Sequence, residues 1–339
     1  MKRIQFSTAL ILSSIMSMSV SFADSDRPLF SVSVSESGVP QNNSEGGITR
    51  SSTTESRVLP IWGDEARARG YDLPEPFGIG YGYMNLRQDI KVDKIAFKSE
   101  KGVNIPFVKF DLNDDLMIKT GHTRSKNESH MLKLDTWVFP FMNVYGVYGK
   151  TKGTSTTNLD SVKARVKIFG KENIIDIGKN LPFELDYKGK TYGGGVTFAG
   201  GYNQFFSTLD FNYTRTSLDI LDGDITAFVV TPRVGYEFIF EPLIPGQGNT
   251  KLQIWTGAMY QDITQRFKGD ISKLDLPPEL SGLMALAPDD AKFDVKQHLA
   301  HKWNNTVGAR VELTRNFNVL TEIGFNNRNS FYISGEFRF

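Results

Sequence analysis

The last ten residues, SFYISGEFRF at positions 330–339, carry the pattern that decides the fold. The odd positions hold large apolar side chains apart from one glycine, and the even positions hold hydroxyl-bearing or charged side chains, including Glu336 and Arg338. Since successive side chains of a β-strand point to opposite faces, this alternation predicts a strand with one apolar and one charged face. Such a strand fits either a soluble β-sandwich or a membrane barrel whose apolar face meets lipid.

Six stretches upstream alternate in the same way, at residues 84–90, 132–138, 208–214, 228–238, 303–313 and 317–325. A soluble sheet accommodates one strand with charges on its second face, but seven such strands are hard to fit around a globular core. We therefore predict that the charged faces line the lumen of a barrel. The predicted lumen-lining residues are Arg87, Asp89, Lys133, Asp135, Asp210, Arg233, Glu237, Arg310, Glu312, Glu322, Glu336 and Arg338.

The spacing of turns predicts the size of the barrel. Short breaks, as at residues 314–316 and 326–329, alternate with longer polar stretches such as residues 268–291. Membrane barrels pair short periplasmic turns with longer outer loops in this manner. Dividing residues 79–339 by roughly 22 residues for each strand and its connection gives about 12 strands, with a range of about 10 to 14. The predicted fold class is all-β: a transmembrane, antiparallel, up-and-down β-barrel over residues 79–339.

The chain before residue 79 is predicted to have two parts. Residues 1–23 have the layout of a cleaved secretory signal peptide, with Lys2 and Arg3, an apolar stretch, and Ser21-Phe22-Ala23 before the expected cleavage site. Residues 24–78 are rich in Ser, Gly, Asn and Glu near their start, which predicts a flexible periplasmic segment or a small plug in the lumen. The shortness of this segment favours the flexible tail. Export of a barrel leads to the cell outer membrane.

The end of the chain resembles the terminal strand of Gram-negative outer-membrane β-barrel proteins as a class. The resemblance rests on a C-terminal Phe with aromatic or apolar residues at alternate positions, carried here by Tyr332, Phe337 and Phe339. It implies recognition by the barrel assembly machinery and periplasmic chaperones, and contact with outer-membrane lipid and lipopolysaccharide. Residues 137–146, WVFPFMNVYG, are also similar to a segment of proteobacterial barrel proteins, some of them described as virulence-related. That similarity implies no functional residue.

The composition excludes several kinds of function. The sequence has no cysteine, which excludes disulfides, thiol catalysis and thiolate metal sites. Its formal net charge is +1, whereas nucleic-acid binding needs a concentrated basic excess. We therefore expect no nucleic-acid partner and no soluble cofactor.

The sequence offers little for catalysis. The chain has four histidines: His122, His130, His298 and His301. The first two flank a predicted hairpin tip at residues 123–129, and no acyl-transfer motif surrounds the adjacent Ser129. The last two are three residues apart, which places them on opposite faces of a strand. No catalytic or metal-binding residue is predicted, and the chain is not expected to be an enzyme.

Three functions remain open from the sequence. The leading hypothesis is a passive channel or transport-like barrel for small solutes, whose mixed-charge lumen sets selectivity. The second is a surface-contact barrel, in adhesion, virulence or stress resistance, that acts through its outer loops. The third is a lipid-modifying barrel enzyme. The loop at residues 268–291 bears on the first two, because residues 279–287 predict two helical turns that either constrict the barrel mouth or rest on its rim.

Overall fold

The computed structural model describes residues 58–68, 73–100, 107–112, 114–202, 204–219, 222–274, 276–284 and 290–339. Most of these residues belong to one antiparallel sheet. The predicted signal peptide, and the N-terminal segment up to residue 57, lie outside the described residues. Within the described ranges, no helix combines the length and the apolar character needed to span a membrane.

The described residues form two short α-helices, one 3-10 turn and a sheet of twelve strands. In chain order they are α1 Gly63–Ala68, β1 Phe77–Lys98, β2 Val108–Lys109, β3 Leu116–Phe139, β4 Met142–Ile168, β5 Lys171–Tyr202, β6 Phe205–Leu218, β7 Asp222–Phe240, β8 Thr250–Asp270, the 3-10 turn Ile271–Lys273, α2 Pro278–Met284, β9 Lys292–Leu299, β10 Trp303–Thr314, β11 Phe317–Phe325 and β12 Arg328–Arg338. The first strand begins just before the predicted start of the barrel at residue 79.

The sheet closes on itself along two routes. Along the first route, β1 pairs with β3, the pairing continues through β4, β5, β6, β7 and β8 to β10, β11 and β12, and β12 pairs back with β1; this ring has ten strands. Along the second route, β9 joins β8 directly to β1, and the ring has eight strands. The prediction of a closed antiparallel β-barrel is confirmed, with the wider ring at the lower end of the predicted range.

The two rings are stacked along the barrel. β1 pairs with β12 as far as Gln88 and with β9 from Ile90 onward. In the same way β8 pairs with β10 as far as Tyr260 and with β9 from Thr264 onward. One end of the barrel is therefore a ring of ten strands and the other end a ring of eight.

The connections give the barrel its orientation. The tight turns at residues 140–141 and 315–316 belong to the ten-strand end, as does the pairing of Phe77 with Phe339. The longer connections at residues 99–115 and 271–291 belong to the eight-strand end. Because outer-membrane barrels have short periplasmic turns and longer outer loops, we call the ten-strand part the inner half and the eight-strand part the outer half.

The alternation of apolar and polar residues changes phase where the two halves meet. In the inner half of β1, Tyr81 is exposed on the outer surface; further along, Leu86 and Ile90 are buried inside. Arg87 and Asp89 consequently face outward, and their predicted positions in the lumen are wrong. The physical reason is that the outer half buries apolar side chains in a core and turns its charges to water, as soluble sheets do.

The interior of the outer half is filled with side chains. The rings of Tyr187 on β5 and Phe267 on β8 meet with centroids 5.1 Å apart, and Gln297 Nε2 on β9 donates to Ser155 Oγ on β4 at 3.2 Å. An eight-strand barrel is just wide enough to be filled by its own side chains. Leu280 of α2 is 1% exposed and belongs to the same core, so α2 packs into the barrel mouth and does not rest on its rim.

A short hairpin forms the step between the two halves. β11 and β12 turn back at Asn327, below the point where β9 meets β1. Asn304 holds this turn: its Oδ1 accepts hydrogen bonds from the backbone N–H groups of Asn327 and Arg328 at 3.1 and 3.0 Å, and its Nδ2 donates to the Arg328 carbonyl at 3.0 Å. The Arg328 guanidinium donates to three further carbonyls on β8 and the β9–β10 connection. Two side chains thus satisfy the backbone groups at the step.

Removal of the Asn304 side chain tests this step. We expect Asn304→Ala to lower the free energy of unfolding by about 2–3 kcal/mol, because buried N–H groups lose their acceptor. Asn305→Ala, on the exposed face of the same strand, is the matched control and is expected to change it by less than about 0.5 kcal/mol. Urea unfolding of the refolded protein in detergent, followed by tryptophan fluorescence, measures both. Equal losses for the two variants would contradict the role given to Asn304.

Candidate luminal site

The inner half carries the remaining predicted lumen residues on its inner wall. They are Lys133, Asp135, Asp210, Arg233, Glu237, Arg310, Glu312, Glu322, Glu336 and Arg338. Residues next to them in sequence, such as Leu134, Val234 and Phe337, are exposed apolar side chains on the outer wall. Such a belt of apolar side chains is the surface that lipid requires of a barrel, so the inner half is the membrane-spanning part.

The first group of ion pairs connects β3 with β12. Arg338 Nη1 lies 2.9 Å from Asp135 Oδ1 and 2.6 Å from Glu336 Oε1, and Lys133 Nζ lies 3.2 Å from Glu336 Oε2. The strand between them is β1, which presents Gly78 to the lumen. A Cβ at Gly78 would collide with the Asp135 carboxylate and stand 2.7 Å from Arg338 Nη1. The ion pairs cross β1 at this point because Gly78 has no side chain.

The second group connects β7 with β11. Arg233 donates two hydrogen bonds to Glu322, from Nε at 2.6 Å and from Nη2 at 2.9 Å, and Trp255 Nε1 donates to the same carboxylate at 2.7 Å. β8 and β10 lie between these strands. A Cβ at Gly308 would collide with the Trp255 indole, and one at Gly257 would stand 3.0 Å from Arg233 Cγ. Glycines again provide the space that the crossing side chains occupy. Here that space holds a bidentate Arg–carboxylate pair, which is a strong form of ion pair.

The third group connects β4 with β6 through neutral donors. The Tyr145 hydroxyl donates to Asp210 Oδ1 at 2.9 Å, Thr197 Oγ1 donates to the same atom at 2.7 Å, and Asn212 Nδ2 donates to Oδ2 at 3.0 Å. Tyr145 reaches Asp210 across β5 at Gly195, where a Cβ would stand 2.6 Å from Tyr145 Cζ. The Asp210 carboxylate is thus held by three donor groups.

The remaining predicted charges pair with neighbours on the same wall. Gln253 Nε2 donates to Glu237 Oε2 at 2.6 Å, and Lys251 Nζ lies 3.7 Å from Glu312 Oε1. Arg310 Nη2 lies 3.8 Å from Glu336 Oε1, which joins it to the first group. Buried charges of opposite sign offset one another's desolvation cost in this arrangement.

Sequence reasoning missed the neutral members of these groups. Tyr145 and Trp255 were not among the predicted residues, although both donate to luminal carboxylates. The sequence held one relevant feature: Gly308 is in phase with Arg310 and Glu312 on the charged face of its strand. Which side chains meet above each glycine depends on strand register, and alternation alone does not give the register.

An internal space remains among these groups. The side chains of Lys133 and Arg233 point into the barrel, yet they are 31% and 22% exposed. Their partner carboxylates are more deeply buried: Asp135 is 0% and Glu322 6% exposed. A ring of ten strands is wider than the filled ring of eight above it. Lys133 and Arg233 therefore line this space, whereas the other basic groups of the inner wall, Arg338, Arg310 and Lys251, are 3%, 7% and 8% exposed.

The segment before β1 packs against the open end of the inner half. Leu73 and Glu75 are buried. Arg338 Nε donates to the Glu75 carbonyl at 3.0 Å, and Arg315 Nε donates to the Glu75 carboxylate at 3.2 Å. These contacts attach residues 73–76 to the end of the barrel, and the choice between a tail and a plug for residues 24–78 stays a prediction.

The histidines lie away from the luminal space. His130 is exposed on the outer face of β3, whereas Ser129 is buried on its inner face, so the two side chains point apart. Residues 123–129 run through the middle of β3, and the predicted hairpin tip there is wrong. His298 Nδ1 lies 2.7 Å from Asp93 Oδ1 on the outer surface. In the part of the chain that the structure describes, no group of three or more His, Asp or Glu side chains is placed to hold a metal ion.

The residues of the predicted assembly signal lie on both faces of β12. Phe337 and Phe339 are exposed on the outer face, and Phe339 stacks on Phe77 with ring centroids 6.1 Å apart. Tyr332 faces inward over Gly82, where a Cβ would stand 2.7 Å from the tyrosine hydroxyl. Recognition of this strand by the assembly machinery stays a prediction.

Two glycines of β1 test the crossing of strands by the ion pairs. Gly78→Ala is expected to push the Asp135 carboxylate from Arg338 and to lower the free energy of unfolding by about 1–3 kcal/mol. Gly80→Ala is the control on the same strand and the same face, because its Cβ would find nothing closer than 3.4 Å. Urea unfolding in detergent compares the two variants. A smaller loss of unfolding free energy for Gly78→Ala than for Gly80→Ala would refute the claim that the ion pairs cross β1 at Gly78.

Comparison with known proteins gives low similarity. No family model and no curated protein matches the sequence. Among solved structures, the chain is similar to the Ralstonia pickettii toluene transporter TbuX, with a TM-score of 0.24 and 9% identity over 79% of this chain and 90% of that one. It is also similar to a ΔS2 mutant of TodX, a monoaromatic hydrocarbon channel, with a TM-score of 0.23 and 8% identity over 78% and 89% of the two chains. Because both TM-scores are low, the fold rests on the strand pairing itself.

Proposed function

We propose that this protein is a gated, transport-like channel of the outer membrane for small anionic solutes. The observation that carries the proposal is the space inside the inner half, which the partly exposed side chains of Lys133 and Arg233 line. A structural barrel with no solute pathway would be expected to bury both cations as deeply as their partner carboxylates.

The lining favours anions over cations. Asp135 and Glu322 lie behind the two basic groups, so a solute in the space meets the positive ends of the ion pairs first. Lys133 Nζ also lies 5.2 Å from the centre of the Tyr145 ring, which offers an aromatic surface beside the cation. A carboxylate- or phosphate-bearing solute of a few heavy atoms fits this chemistry.

The outer half acts as the gate in this proposal. The contacts of Tyr187 with Phe267 and of Gln297 with Ser155 close the route above the space. Apolar constrictions oppose the passage of water and ions. Passage therefore requires α2, which inserts Leu280 into this core, to move out of the barrel mouth.

Single-channel recording of the refolded protein in a planar bilayer tests the proposal. We expect rare openings of the wild type and a reversal potential in a KCl gradient that indicates preference for chloride. Lys133→Gln should lower the anion-to-cation permeability ratio by about threefold, because the local anion concentration falls. Leu280→Ser should raise the open probability, because a buried hydroxyl weakens the packing of α2 in the core.

Lys119→Gln is the matched control for selectivity, since Lys119 is exposed on the same strand. Heat-modifiable migration on gels verifies that every variant is folded. Silence of the folded wild type and of folded Leu280→Ser would overturn the proposal, as would equal effects of the Lys119 and Lys133 substitutions.

A second candidate function, surface contact, is favoured by the tip of the β4–β5 hairpin. Phe107 and Phe169 are 73% and 77% exposed there, with ring centroids 5.2 Å apart. Ile174 on β5 is exposed as well. Exposed apolar clusters of this kind, rimmed by polar residues, mark interaction sites.

Substitution of the two tip rings tests the second candidate. Phe107→Ser combined with Phe169→Ser should reduce adhesion of expressing cells to host-cell surfaces, because the apolar contact is lost. The control is Leu243→Ser, which replaces an exposed apolar residue at the periplasmic end. Unchanged adhesion of the double variant at equal surface expression would remove this candidate.

A further inference from the structure

Four exposed lysines form a block on the outer surface of β4 and β5. Lys150 is the direct cross-strand partner of Lys190, and Lys152 is the direct partner of Lys188. All four are exposed, on the face opposite to the lumen. We refer to these four residues as the lysine block.

The lysine block places like charges against one another. Directly opposed residues of an antiparallel pair have Cβ atoms roughly 5 Å apart, and like charges at such positions are destabilising. Lys152 is neutralised by Glu128, whose Oε2 lies 2.9 Å from its Nζ. Among the described residues, none of the other three lysines has a carboxylate within 4.0 Å of its Nζ. The nearby Asp186 accepts a hydrogen bond from Thr154 Oγ1 at 2.6 Å.

Cations on the opposite wall are treated differently. Lys302 Nζ lies 3.0 Å from Asp262 Oδ1 on β8, and Arg266 Nη2 lies 3.0 Å from Asp294 Oδ2 on β9. These two pairs contrast with the lysine block. Lys94 and Lys296, on β1 and β9, are a further directly opposed pair of exposed lysines, but they lie in the outer half.

The lysine block lies at the edge of the lipid-facing belt. Directly below it on the same face are Tyr148 and Tyr192, which are cross-strand partners and are exposed. Aromatic residues of membrane barrels form girdles at the level of the lipid headgroups. Residues two positions further along a strand lie about 7 Å higher. Lys150 and Lys190 therefore stand where the phosphates of the outer leaflet lie.

We propose that the lysine block binds the diphosphorylated headgroup of an outer-leaflet lipid. A phosphate between Lys150 and Lys190 converts their repulsion into two charge-assisted contacts, and a second phosphate reaches Lys188. The three uncompensated cations match two phosphate groups in charge. The tyrosines below offer ring surface to the sugar and acyl parts of the same molecule, which a free phosphate ion would not use.

Native mass spectrometry of the full chain in detergent tests this site. The probe is purified lipid A carrying two phosphates. We expect one lipid adduct on the wild type, and a loss of affinity of about tenfold in Lys150→Gln combined with Lys190→Gln. Lys119→Gln combined with Lys163→Gln removes the same charge from the outer half and is expected to leave the adduct unchanged.

Three comparison ligands separate the sources of binding. Dephosphorylated lipid A and inorganic phosphate are expected to give no adduct, and phosphatidylglycerol a weaker one. Equal binding of dephosphorylated lipid A, or equal loss in the control variant, would overturn the proposal. Displacement by inorganic phosphate at the same concentration would show an anion site without lipid specificity and would overturn it as well. Because neither variant touches the lumen, channel recordings of both should match the wild type.

Discussion

The width of a β-barrel is set by the number of strands in its ring, and in this protein that number changes along the axis. Ten strands close the inner half and eight close the outer half. The narrower ring is filled by its own side chains, whereas the wider one keeps an internal space. The positions of the apolar core, of the accessible cations and of α2 all follow from this change of strand number.

Glycines determine how the wider ring is held together. Ion pairs and hydrogen bonds join strands that are not adjacent, and each crosses the strands between them at glycines such as Gly78, Gly195 and Gly308. The bridges hold the walls at fixed distances, while backbone pairing holds each strand to its neighbour. A polar interior of this kind is stable in lipid because nearly every charge has a partner.

The sequence predicts the barrel well because alternation is local. The inner-half strands, β12 above all, show the same apolar face in the sequence and in the structure, and ten predicted lumen residues lie on the inner wall. The error at Arg87 and Asp89 arises where the phase of β1 reverses between Tyr83 and Leu86. The stretch at residues 84–90 begins beyond that reversal, so its apolar face is predicted to meet lipid, whereas Leu86 and Ile90 point into the interior. The exchange of β12 for β9 as partner of β1 is a non-local event that no local pattern records.

The hairpin of β11 and β12 has a consequence for how the barrel is sealed. β1 has one closing partner in the inner half, β12, and a different one in the outer half, β9. The barrel is therefore closed by two strand pairings, β1 with β12 in the inner half and β1 with β9 in the outer half. The strands that pair in the outer closure, β1, β8 and β9, all precede the hairpin in the chain, so the last strand takes no part in closing the filled outer half. The molecule is a ring of eight strands into which the β11–β12 hairpin is inserted from one end. Because strand number sets the width, a longer hairpin would extend the wide inner half along the axis at the expense of the filled outer half, without changing the width of either.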